Sequence, residues 1–181
     1  MIPKMIFFSR GVGRHKHELQ SFELALRSAG IEKCNLVNVS SIVPPNCKII
    51  SREGGMRIIK PGQIIYCVMS RNKTNEPNRL LGAAIGVAMP KDVDSYGYIS
   101  ERHCFGETSK KLGDYTEDLA ATMLATTLGL DFDPDKAWDE RKQEYKMSGQ
   151  FVRTQSLVQT NNGDKNGLFT TVLAAAVFLE G

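Results

Sequence analysis

The pair Pro44-Pro45 constrains this chain more than any other feature. It closes the stretch Asn35 to Lys48, NLVNVSSIVPPNCK, whose apolar residues otherwise read as β-structure. Proline donates no backbone hydrogen bond, so no central strand runs through these positions, and the chain must bend there or follow a sheet edge. Cys34 to Ser40 and Ile42 to Ile50 are therefore expected as strand segments on either side of a serine pair, Ser40-Ser41. Two small hydroxyl residues inside an apolar strand pattern are out of place unless the backbone there is meant to react.

The rest of the chain alternates strand patterns with two clear helices. Met5 to Ser9 reads as a strand, and Arg10 to Lys16 as a loop with two glycines. That loop lacks both the Walker pattern and a third glycine at dinucleotide-binding spacing, so a plain turn is the better reading. Glu18 to Ala29 repeats apolar residues at helical spacing and stops at Gly30, with Glu23 beside the apolar stripe. Gly54-Gly55 and Pro61-Gly62 signal turns. Gln63 to Ser70, Leu80 to Met89 and Tyr96 to Arg102 read as strands, the last carrying Glu101. Small residues fill the second of these, which implies close approach of another layer or subunit. Thr116 to Leu128 is the strongest helix pattern, with Thr116 as its N-cap and Gly129 as its stop. Phe151 to Gln159 and Leu168 to Leu179 close the chain as strands.

Composition removes several function classes. A chain of 181 residues with 41% hydrophobic content fits one domain with a real core. No apolar run reaches the roughly 18 residues that span a bilayer. The N-terminus shows no signal-peptide pattern, so a cytoplasmic location is expected. The net charge of +3 is concentrated in the first 60 residues, where ten Lys/Arg face four Asp/Glu. Aromatics do not interleave with these basic residues, so a solvated face is expected rather than a nucleic-acid platform. Cys34, Cys47, Cys67 and Cys104 form no CxxC pair and are expected reduced and partly buried. His15 and His17 are two apart and His103 is remote in the sequence, with no third ligand beside the pair, so no metal site is expected. Asp131, Asp133 and Asp135 imitate a calcium loop, but Lys136 and Lys142 stand where glycine and glutamate are needed. No G-x-S-x-G elbow is present for Ser-His-Asp catalysis.

The chemistry open to the serine pair is self-cleavage. The Ser41 hydroxyl can attack the Ser40 carbonyl and exchange the amide for an ester. Elimination of that ester leaves dehydroalanine, which hydrolyses to a pyruvoyl group and releases ammonia. The first step needs a bent peptide and a donor for the oxyanion. By chemistry alone the inert reading carries more weight, since most serine pairs are only serines.

The motifs shift that balance. Phe22 to Ala29 with Gly30-Ile31, Asn35-Leu36, Ser40-Ser41-Ile42 before Pro44-Pro45, Ala88 to Asp92, Gly97 and Glu101 follow one another in order. In these the chain resembles the pyruvoyl-dependent arginine decarboxylases over most of its length, and its C-terminal RTQS and GDKNGLFTT resemble the bacterial-type members. The resemblance implies an α+β fold, a four-layer αββα sandwich with mostly antiparallel sheets. It implies one domain, 1–181, that cuts itself into a β chain, 1–40, and an α chain, 41–181, capped by a pyruvoyl group made from Ser41. That covalent cofactor would form an imine with L-arginine and draw electrons as CO2 leaves, yielding agmatine for polyamine synthesis or acid resistance. By position Glu101 would protonate the carbanion, in a partly apolar site near Cys104-Phe105 that would raise its pKa. Asn35 would support processing, although five extended residues span roughly 16 Å, which suggests another route or a neighbouring subunit. Glu23 stands where many members carry an aspartate that meets the substrate guanidinium, and a glutamate can make the same bidentate contact; another amino acid such as histidine is the alternative substrate. A homotrimer of αβ units with sites between subunits is implied, without metal, membrane or nucleic acid. A non-catalytic scaffold that never processes is the remaining alternative.

Overall fold

The computed structural model describes residues 2–181, the side chain of Val152 apart. Its elements in chain order are β1 (Met5–His15), α1 (Glu18–Ala29), β2 (Asn35–Asn38), β3 (Ile42–Val43), β4 (Lys48–Ile49), α2 (Arg52–Ile58), β5 (Ile64–Thr74), β6 (Leu80–Pro90), β7 (Gly97–Phe105), α3 (Ser109–Thr127), α4 (Trp138–Met147), β8 (Phe151–Asn162) and β9 (Phe169–Leu179). One sheet has the order β2-β5-β9-β1-β4 and the other β3-β7-β6-β8. The β1–β4 and β2–β5 pairs are parallel and all other pairs antiparallel. The expected αββα sandwich is present, because each sheet buries both faces: one against the other sheet and one under helices.

Side-chain alternation makes the layers. On β9, Leu173, Ala175 and Val177 join Phe7, Ala25, Ala29 and Ile31 under α1, while Ala174, Ala176 and Phe178 face the second sheet. Ile85, Val87 and Ile99 meet them from that sheet. Its outer face lies under α3, where Ala120, Ala121 and Leu124 pack on Ala88. Buried on both faces, β9 reads as a continuous apolar run rather than an alternating one. No helix of the described residues is long and apolar enough to cross a membrane.

The glycines of the supposed loop after Ser9 are strand residues. β1 continues to His15 and pairs with β9 throughout, from Met5↔Leu179 to His15↔Phe169. A side chain at Gly11 or Gly13 would run into the backbone of α1, so these positions exist to let the helix lie flat on the strand. Gly86 does the same for α3, which accounts for the small residues of β6 by a layer of the same chain. The inward face of α1 is Ser21, Ala25 and Ala29, with Leu19 exposed. Its end follows expectation: Gly30 sits at φ 77°, donating to Arg27 O, and Ile31 N donates to Leu26 O.

Three further boundaries differ from expectation. Gly54-Gly55 lie in α2, which Ser51 caps through Gly54 N at 3.1 Å. α3 starts two turns earlier than expected, capped by Thr108, whose Oγ1 accepts from Lys111 N at 3.3 Å. Thr116, the expected cap, is buried mid-helix, donating to Leu112 O and Gly113 O. α4 had no apolar period to announce it; Trp138 and Tyr145 anchor it against Phe132 and Phe151.

Candidate active site

The serine pair lies where the chain crosses from one sheet to the other. β2 belongs to the first sheet and β3 to the second. The last bond to the first sheet is Val39 N to Cys67 O, 3.0 Å, and the first to the second sheet is Ile99 N to Ser41 O, 2.7 Å. Ser40 and Ser41 are thus the span between strands rather than the middle of one. Ser40 is exposed and Ser41 half-buried. Ile42 N donates to Ser40 O at 3.0 Å, closing a three-residue γ-turn with Ser41 at its centre. Positive φ outside glycine is confined, among the described residues, to Asn46 and Asn78, so this turn is of the inverse kind. Pro44-Pro45 starts the next bend. Asn46, at φ 58°, fixes it by donating its N–H to Val93 O, 2.8 Å, and its side-chain amide to Asp94, 3.0 Å.

A cavity of about 680 Å³ opens beside this crossing. Its origin is topological. β2 pairs with β5 only from Ile64 to Cys67 and then departs, leaving the β5 edge open at Met69 to Arg71. Phe22 and Leu26 of α1 wall one side, Glu101 and His103 of β7 another, and Asn35 and Asn38 stand on β2. A second, more apolar cavity of about 600 Å³ is lined by Val39, Ser40, Ile42, Pro44, Tyr66 and Phe178 among others. Within one chain, therefore, Asn35 and Glu101 share the first cavity and Ser40 borders the second.

The individual side chains sharpen this picture. Asn35 donates its amide to Gly62 O at 3.0 Å, and its backbone N–H to Gln63 O at 2.8 Å. It is tied to the Pro61-Gly62 turn, at the far end of β2 from the serines. Glu101 is solvent-exposed in the single chain, so the apolar enclosure expected around it is not supplied by Cys104-Phe105. Its neighbour Arg102 pairs instead with Glu107, 3.0 Å, and stacks 3.8 Å over Tyr115. Glu23 does not line the cavity formed by Phe22 and Leu26. Its carboxylate accepts from Arg27, at 2.6 and 3.1 Å, and from Gln20, at 2.9 Å.

Asn38 and Arg71 escaped the sequence reading. Asn38 Oδ1 accepts from the Cys67 thiol at 3.5 Å, and burial, with the negative charge of Glu101 adding to it, pushes that thiol up to about 11. Glu101, Cys67 and Asn38 are thus electrostatic neighbours. The Arg71 guanidinium lies 4.2 Å over the Phe22 ring. Asn38 carried a faint signal as a polar residue in a strand pattern; Arg71 lay just past the Gln63 to Ser70 strand pattern, whereas β5 extends to Thr74. The His15 and His17 rings lie tilted with centroids 5.5 Å apart, and no cluster of three metal-ligating side chains occurs among the described residues.

These features define an αββα sandwich with a tight turn at a sheet crossing and a carboxylate-lined cavity beside it. Comparison with known proteins gives the family. The chain matches the family described as pyruvoyl-dependent arginine decarboxylase over residues 5–181. It is 61% identical over 178 residues to a probable pyruvoyl-dependent arginine decarboxylase of Chloroherpeton thalassium, covering 98% of each chain. It is 59% identical over 179 residues to pyruvoyl-dependent arginine decarboxylase 2 of Methanosarcina acetivorans, covering 99% of this chain and 98% of that one. A pyruvoyl-dependent arginine decarboxylase of Methanococcoides burtonii is 59% identical over 179 residues, 99% of each. The chain belongs to the pyruvoyl-dependent arginine decarboxylase family.

Proposed function

We propose that this chain cuts itself between Ser40 and Ser41, converts Ser41 to a pyruvoyl group and decarboxylates L-arginine to agmatine and CO2. The observation that carries this reading is the γ-turn at the serine pair, in a chain that matches the family from residue 5 to 181. The turn bends the backbone at the bond to be cut and already engages its carbonyl, which suits residue 41 as the source of the group. The pyruvoyl carbonyls supply the electron sink that loss of CO2 requires. The chain's own residues hold and protonate. Ile99 N–H fixes the residue 41 carbonyl against β7, the strand that also carries Glu101. Glu101 is assigned the proton return to the substrate carbon, a role that suits a carboxyl lining the cavity without a cation bound to it among the described residues. The relatives are named for arginine, which leaves histidine without support.

Assembly completes the site in this reading. Asn35 is pinned to Gly62 at the far end of β2 from its own scissile bond, so its role in processing is assigned to a neighbouring copy. Val37, Val39, Ile42 and Ile64 are 38 to 62% exposed around β2 and β3, an apolar surface suited to contact between copies in a homotrimer. Glu23 is assigned to the substrate guanidinium, which would take the place of Arg27 on its carboxylate. The test is intact mass on a denaturing gel together with CO2 release from L-arginine. Two chains split after Ser40, the larger without a free amino terminus, and arginine-dependent CO2 are expected. A Ser41→Ala chain stays whole and inactive. A wild-type chain that stays whole, or that releases CO2 from histidine in preference to arginine, defeats the reading.

A further inference from the structure

We infer that the backbone N–H of Ile42 is the oxyanion donor for the self-cleavage, an inference that rests on the processing reading above. Attack on the Ser40 carbonyl pushes negative charge onto its oxygen, and that oxygen needs a donor aimed at it before the reaction starts. Asn35 does not reach this oxygen in its own chain, since it sits at the far end of β2, five residues and roughly 16 Å of extended chain away, and is bonded there to Gly62 O. The group that does contact Ser40 O is Ile42 N–H, at 3.0 Å.

The direction of this donor is set by the second sheet. In a trans peptide the C=O and the following N–H point to opposite sides. Ile99 N–H holds Ser41 O toward β7 at 2.7 Å, and this turns Ile42 N–H away from β7 and back onto Ser40 O. The donor therefore belongs to the sheet crossing itself and needs no rearrangement during the reaction. In the step it serves, Ser41 Oγ bonds to the Ser40 carbonyl carbon, forming a five-membered ring. The carbonyl π pair moves onto the oxygen held by Ile42 N–H. Collapse breaks the bond from that carbon to the Ser41 nitrogen, which receives the proton lost by Oγ, so amide and ester differ only in arrangement. The later elimination and hydrolysis, with water entering and ammonia leaving, make no use of this donor.

The test replaces Ile42 by its α-hydroxy acid through nonsense suppression in cell-free synthesis, which exchanges N–H for O and keeps the side chain. Loss of the full-length chain is followed on a denaturing gel with intact mass. Cleavage about 100-fold slower than wild type is expected, the range seen when one oxyanion donor is removed. The same substitution at Val39 removes a comparable bond, to Cys67 O, but not a donor to the oxyanion, and is expected to cleave near the wild-type rate. Cleavage of the position-42 variant within about threefold of wild type, or equal slowing at both positions, overturns the inference. Should the ester chain not fold, hydrogen exchange on uncut Ser41→Ala decides: slow exchange at Ile42 supports the donor, and exchange at the rate of an open amide overturns it. A wild-type chain that never splits sinks the processing reading, and this inference with it.

Discussion

Replacing Gly11 by alanine should destabilise the fold even though the substitution sits in a strand. Strand glycine normally costs roughly 0.5–1 kcal/mol relative to alanine, so backbone propensity alone predicts a gain. Packing predicts the opposite. A Cβ at Gly11 would lie 2.8 Å from Ala29 N and 3.1 Å from Ala25 C, with Ala25 O closer still. Ordinary contact begins near 3.4 Å. These are helix backbone atoms, which cannot rotate aside, so α1 must retreat by about 1 Å. A gap of that size forfeits a quarter to a half of each dispersion contact across it. The contacts at stake are those of Ala25, Ala29 and Ile31 with Phe7 and Leu173. The expected loss is about 3 kcal/mol, the upper end for overpacking. For a chain of this size that lowers Tm by roughly 6–12 °C. The assay is urea unfolding in the Ser41→Ala background, where cleavage does not complicate the transition. Phe22 and Leu26 ride on the same helix, so substrate affinity in the processed Gly11→Ala protein should weaken as well. Unchanged or increased stability in the alanine variant would refute the flush packing of α1 on β1.

Arg27→Ala should lower the KM for arginine by up to about fivefold with kcat unchanged, because the exposed ion pair that competes for Glu23 is weak; steady-state kinetics checks this, and a raised KM contradicts it. Burial pushes the Cys47 and Cys67 thiols up to about 11 from the ordinary 9.0. The unfolded chain therefore releases these protons first, so stability holds below about pH 9 and falls by roughly 2 kcal/mol per thiol as pH rises to about 11. Urea melts at both ends of that window should show a shallower fall for Cys47→Ala and Cys67→Ala, and an unchanged slope would contradict the assignment. The two products of cleavage should co-elute on native gel filtration and separate only in denaturant, a result reversed if the 1–40 piece is lost on dilution.

The parts of the fold legible in the sequence were those settled locally. Glu18 to Ala29 emerged with its ends intact because apolar spacing and Gly30 are local signals. The strands of the second half came through to within a few residues for the same reason. Gly11 and Gly13 were misread as loop because their cause is a helix backbone lying across the strand, which no neighbouring residue announces. α4 was invisible because WDERKQEYKM holds its helix by two aromatics and the Lys142–Glu117 and Arg141–Asp118 pairs to α3 rather than by an apolar stripe. At the site, motif resemblance singled out Ser40, Ser41, Asn35 and Glu101, but their spatial relation required sheet pairing. The change of sheet between Asn38 and Ile42 depends on which strands lie beside each, and neither partner is near in sequence.

That change of sheet would link the proposed cleavage chemistry to the stability of its product. A bond cut inside a ladder would cost paired backbone groups on both sides. Ser40-Ser41 lies between the last bond to the first sheet and the first bond to the second, so a cut there removes one internal bond, from Ile42 N to Ser40 O, and leaves both ladders whole. Each end keeps its anchor: Val39 on Cys67, and Ser41 on Ile99. After such a cut the first forty residues would stay in place for a further reason. β1 lies inside its sheet, paired along its whole length with β9 and at its start with β4, both from the other side of the cut. α1 covers it and contributes Ala25 and Ala29 to a core completed by Leu173, Ala175 and Val177. The topology would thus let the backbone be severed at a point where neither sheet depends on its continuity, and the proposed new end at residue 41 would lie beside the strand that carries Glu101.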